Sequence, residues 1–134
     1  MNVGTETNWK GFLDEGLAYS KTVEGGVGKP GVFTPEILYN VGCMAIEKFF
    51  MAFLVKHGKM PDNHTLRELC EAAETVTPLP PGLRGRLLEM DMWQFICSID
   101  LHKRKKLTRE DVPEILAAVR GVKEWTGLAR KIRA

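Results

Sequence analysis

The sequence is poor in cysteine, and its cysteines form no pattern. Cys43, Cys70 and Cys97 stand isolated, odd in number and without a CxxC pair. That excludes a disulfide framework and a cysteine-rich zinc site, so no metal and no cofactor is expected. The three are read as buried, reduced thiols of a cytoplasmic protein. Alternating β-branched runs are also missing, which excludes a sheet. The first residues lack a basic and apolar leader, so no secretion signal is expected. The pair Gly28-Lys29 is not a phosphate loop. No glycine lies five positions before Gly28, Pro30 stands where Ser or Thr is needed, and no apolar strand precedes it.

What the chain does have is one long apolar stretch, Thr34 to Gly58. Thr34 is placed as an N-cap and Pro35 at the first helical position, where its missing N–H costs nothing. Gly58 is placed as a left-handed residue just past the helix. Ile37, Leu38, Val41, Met44, Ile46, Phe49, Phe50, Met51, Phe53 and Leu54 put apolar groups on nearly every face. A helix apolar all round must be covered all round, by other helices or by a second copy of the chain. Glu36, Asn40, Glu47, Lys48 and Lys56 are expected to keep it out of a bilayer. Asn40, Met44, Glu47 and Met51 share one face and form the candidate dimer or partner seam.

Around this helix the apolar spacing predicts four more. The first spans 8–22, capped by Asn8, with Gly16 close to its apolar stripe where another helix can cross. Residues 23–33 hold four glycines and a proline in eleven positions and read as a loop. A third helix is expected over 64–75, capped by Asp62 or Asn63, with His64 fixing its entrance. Helices over 84–101 and 112–133 complete the set, the last capped by Asp111 with Pro113 in its first turn. The 134 residues thus read as one domain, 1–134, an all-α five-helix antiparallel bundle of up-and-down topology.

Charge is unevenly placed. Residues 1–101 carry 9 Lys+Arg against 13 Asp+Glu, whereas 102–134 carry 10 against 4. The basic end suggests an anionic partner. Its candidate phosphate contacts are Lys103, Arg104 and Lys105 in the HKRKK turn, with Arg120 and Lys123 on the outer face of the last helix. No aromatic is interleaved with them, so base stacking is not indicated there.

Two segments resemble a known family. Ala45-Ile46-Glu47-Lys48-Phe49-Phe50-Met51-Ala52-Phe53-Leu54 is similar to the A-x-E-K-x-x-x-A-x-L stretch in the second helix of HEPN domains (higher eukaryotes and prokaryotes nucleotide-binding). His64-Thr65-Leu66-Arg67-Glu68-Leu69 resembles that family's H-x-L-x-x-L entrance to the third helix. The resemblance implies a helical bundle that dimerises and that either serves a small nucleotidyltransferase partner, binds a nucleotide, or acts on RNA as a metal-independent ribonuclease in toxin–antitoxin or defence systems. The nuclease branch carries an arginine followed four to six residues later by a histidine. Here His57, His64 and His102 have no arginine at that spacing before them, and Arg104 follows His102 in the reverse order. The reading is therefore a non-catalytic HEPN-like binding module with no assigned catalytic residue. The alternative is a divergent ribonuclease with His102 as general acid/base and Arg104 or Arg120 stabilising the phosphate.

Overall fold

The computed structural model describes residues 5–61, 64–94 and 106–129. Five α-helices are described, and no strand occurs among the described residues. They are α1 (Thr5–Val27), α2 (Pro35–Lys56), α3 (Leu66–Glu74), α4 (Pro81–Gln94) and α5 (Val112–Thr126), with a 3-10 turn at Arg109–Asp111 before the last.

Helix α2 is the hub, and α1, α3 and α5 all pack on it. Its start is set by local chemistry. The Thr34 hydroxyl accepts the Ile37 N–H at 3.2 Å, and Pro35 opens the first turn. Its end is a Schellman turn: Lys59 N–H reaches Leu54 O at 2.8 Å and Gly58 N–H reaches Val55 O at 3.0 Å, with Gly58 at φ 73°. Leu38, Ile46, Phe49, Phe50 and Leu54 are fully buried. Coverage is nevertheless incomplete, since Ile37 and Met44 remain 41% and 40% exposed. The expectation that its charges keep α2 out of a bilayer needs correcting on composition. The helix is long and apolar enough to cross a membrane, with mean hydropathy 1.5, and 61% of that window is buried inside the protein.

Four glycines let the helices approach closely. A Cβ on Gly16 would lie 2.8 Å from the Phe49 ring, and one on Gly26 2.6 Å from Phe33. Gly42 admits Ile115 of α5 in the same way, and Gly121 admits Leu83 of α4. Gly26 explains why the expected loop over 23–33 is wrong in its first half. Helix α1 continues through Gly25 and Gly26 to Val27, with Val23 fully buried. Gly26 breaks nothing there; it makes room for Phe33 and Leu38. At its other end α1 begins at Thr5 rather than at Asn8.

Other expected boundaries also move. Helix α3 is capped by Thr65, whose hydroxyl accepts Glu68 N–H at 3.1 Å, so neither Asp62 nor Asn63 is the cap and the helix opens at Leu66. Thr65→Ala is expected to cost about 1 kcal/mol of stability, read by urea denaturation. Helix α4 starts at Pro81 rather than at residue 84, and the expected stretch 95–101 lies outside the described residues. Asp111 makes no cap bond to α5. It sits in a capping box with Thr108, whose N–H it accepts at 2.9 Å, so the turn at 109–111 precedes the helix. Gly127 at φ 68° ends α5 at Thr126, short of residue 133.

The topology departs from a simple up-and-down order. Leu66 N–H bonds Asp91 and Arg84 bonds Glu74, so α3 and α4 run antiparallel. Tyr39, near the start of α2, meets Met90 and Trp93 at the end of α4. Gly42 meets Ile115 while Phe50 and Phe53 meet Trp125, so α5 runs parallel to α2. Leu83 packs at Gly121, between those two levels, which sets α4 antiparallel to α2. Helix α3 therefore runs in the same direction as α2. The chain doubles back after Gly58 before α3 begins.

Candidate functional site

The two segments that carry the family resemblance meet in space. Glu47 lies midway along α2, and His64 lies just before the Thr65 cap of α3. His64 Nδ1 and Glu47 Oε2 are 2.5 Å apart at a half-exposed surface. Asp91 of α4 joins this corner by accepting Leu66 N–H at 3.1 Å. Beneath it, the Tyr39 hydroxyl donates to Met90 O at 2.5 Å, and Cys43 lies within hydrogen-bonding range of Tyr39. Burial pushes the Cys43 thiol up to about 12, with the nearby Asp91 and Glu47 carboxylates acting in the same direction. Burial likewise raises the Tyr39 phenol. These groups stay protonated and neutral, so Cys43 is a packing and hydrogen-bonding residue and not a nucleophile. Among the described residues no group of three or more His, Cys, Asp or Glu is placed to hold a metal ion.

Neither described histidine takes an arginine as a bonded partner. His57 Nδ1 bonds Phe53 O at 2.8 Å while its ring packs on Phe53 at 4.4 Å. His102 and Arg104, the residues of the ribonuclease alternative, lie outside the described residues, as do Lys103 and Lys105.

The expected basic face of the last helix is differently engaged. Arg120 forms a two-pronged pair with Glu24 of α1, at 2.8 Å from Nε and 2.6 Å from Nη2. The Arg120 guanidinium holds the Glu24 carboxyl below its usual range, with Lys123 adding to the effect. The fork that would receive a phosphate is thus filled by a carboxylate of the same chain. Lys123 is half-buried nearby. Arg109 uses Nη2 to hold Pro30 O at 2.9 Å and Phe33 O at 2.7 Å, tying the α1–α2 connection to the start of α5.

The expected seam splits in two. Met51 is buried at 3% exposure and Glu47 is bonded to His64, so both serve the chain's own packing. Asn40 and Met44 face outward. Sequence reasoning missed Asp91, Tyr39, Glu24 and Arg109. Asp91, a carboxylate set in the apolar run of α4, was visible as an anomaly. Glu24 was hidden because its stretch reads as loop.

The site and fold together define an all-α bundle in which α2, the start of α3 and α4 meet at a polar corner. Set against protein-family models, curated proteins and solved structures, the chain finds no match in any of the three.

Proposed function

We propose that the chain is a non-catalytic binding module of the HEPN-like kind, engaging a nucleotide or a small nucleotidyltransferase partner. The observation that supports this reading is the meeting of Glu47 and His64, because it joins the two resembling segments at one corner of the bundle. The basic C-terminal quarter supplies the charge for an anionic partner. Arg120 enters that role only by leaving Glu24, so Lys123 and the HKRKK segment carry more of it.

Calorimetric titration with ATP and GTP, at low and moderate salt, tests the nucleotide arm. Saturable heat that weakens with salt and is lost in Arg120→Glu/Lys123→Glu is the expected result. No heat with either nucleotide removes that arm and leaves the protein partner, to be sought by pull-down. The variant is expected to fold normally, since an exposed ion pair contributes little to stability.

A further inference from the structure

Glu24 holds Arg120 in the geometry of a bound anion. Arg120 Nε donates to Oε2 at 2.8 Å and Nη2 donates to Oε1 at 2.6 Å, so both carboxylate oxygens lie along one edge of the guanidinium. Two oxygens of a phosphate group fit the same edge in the same way. The pair is open to solvent, with the Arg120 side chain 54% and the Glu24 side chain 38% exposed. An anion in solution therefore reaches the fork without any helix moving. Lys123, one turn further along α5, acts on the same carboxylate. Glu124 also acts on Arg120, but Glu24 is the one of the two that holds the fork.

The fold does not depend on this pair. The end of α1 is seated by other groups: Val23 is fully buried, and Gly26 gives room to Phe33 and Leu38. Arg109 separately ties Pro30 and Phe33 to the start of α5. When Glu24 lets go of Arg120, α1 stays in place. An exposed ion pair also holds weakly, so the exchange costs little. A phosphate dianion brings twice the charge of a carboxylate to Arg120 and Lys123, yet it must compete with a group tethered beside the fork at high effective concentration. We propose that Glu24 is an internal competitor, which occupies the Arg120 fork in the free protein and gives way to the phosphate of an incoming ligand. The proposal rests on the binding-module reading and supplies its regulation. The resting affinity is held low, and a ligand with several phosphate charges displaces Glu24 where a single carboxylate gains nothing by the exchange.

The test is calorimetric titration of the whole protein with ATP at low salt, comparing the wild type with Glu24→Ala. Glu89→Ala serves as control, since it removes the same single charge from an exposed position on α4. Circular dichroism confirms that each variant folds. Glu24→Ala is expected to bind about fivefold more tightly than the wild type, the share that one exposed ion pair can withhold. Glu89→Ala is expected to stay within about twofold of the wild type. Adding Arg120→Glu/Lys123→Glu to Glu24→Ala is expected to abolish the gain. An equal gain in Glu89→Ala reduces the effect to net charge and overturns the proposal. A gain that survives the loss of Arg120 and Lys123 overturns it too, as does unchanged or weaker binding by Glu24→Ala. In that last case, wild-type heat that Arg120→Glu/Lys123→Glu abolishes leaves the nucleotide reading standing without its internal competitor. No heat from either the wild type or Glu24→Ala removes the competitor and the nucleotide arm together.

Discussion

Phe49→Ala is expected to remove about 3–5 kcal/mol of folding free energy, in urea denaturation followed by circular dichroism. Phe49 is fully buried on the central helix, and its ring occupies the space that a side chain on Gly16 would need. A domain of this kind is stable by only about 5–15 kcal/mol, so one such loss takes a large share of the total. The packing makes a sharper prediction about the pair. In the wild-type background Gly16→Ala gains about 1 kcal/mol of helix propensity but forces its new Cβ to within 2.8 Å of the Phe49 ring, so the ring must shift. Overpacking of this kind costs about 1–3 kcal/mol, and the net effect is destabilising. In the Phe49→Ala background the clash is gone and the propensity gain remains, so Gly16→Ala becomes stabilising. A double-mutant cycle reads this as a coupling of about 1–3 kcal/mol. Additive effects would mean that α1 and α2 do not cross where Gly16 meets Phe49.

Stability is expected to fall steeply in alkali. Burial pushes the Cys43 and Cys70 thiols from 9.0 up to about 12, and raises the Tyr39 phenol above its ordinary value of 10.0. In the unfolded chain these groups lose their protons at ordinary pH values; in the folded chain they keep them. Below pH 9 both states are protonated and the stabilisation is complete. Above it the unfolded state binds fewer protons, so the unfolding free energy declines with pH until the folded groups also ionise. The slope is about 1.4 kcal/mol per pH unit for each group, reaching about 4 kcal/mol per unit when all three contribute above pH 10. Urea denaturation at a series of pH values from 8 to about 11 measures the slope. Cys70→Ala should make it shallower by one group's share, because neither Tyr39 nor Cys43 is among the groups that shift the Cys70 thiol. An unchanged slope would show that the Cys70 thiol ionises as readily folded as unfolded.

The central helix was legible because its limits are written locally. Thr34, Pro35 and Gly58 act within one turn of their own positions, and all three do what their chemistry implies. Gly26 shows where local reading fails. A glycine that ends a helix and a glycine that admits a neighbouring side chain look alike in sequence; only the fold brings Phe33 and Leu38 against it. The direction of α3 was equally hidden, because it is fixed by Asp91 and Arg84 on another helix. Of the candidate site, the Glu47 and His64 segments could be read, but the bond between them could not. The exposure of Arg120 could be read from its place on the helix, whereas its occupant, Glu24, lies 96 residues away in sequence.

The seat that Gly42 offers to Ile115 has a consequence for the birth of the chain on the ribosome. The helix that needs most cover is made early, and the helix that covers that flank is the last of the five described. Some 70 residues separate the end of α2 from the end of α5. At about 5–20 residues per second, α2 waits roughly 4–14 s after its own synthesis before α5 has been made. During that interval the α5 flank of α2 stays wet and adhesive, even once α3 and α4 have been made. The nascent chain is therefore most in need of a chaperone, or of its own partner, in the middle of translation.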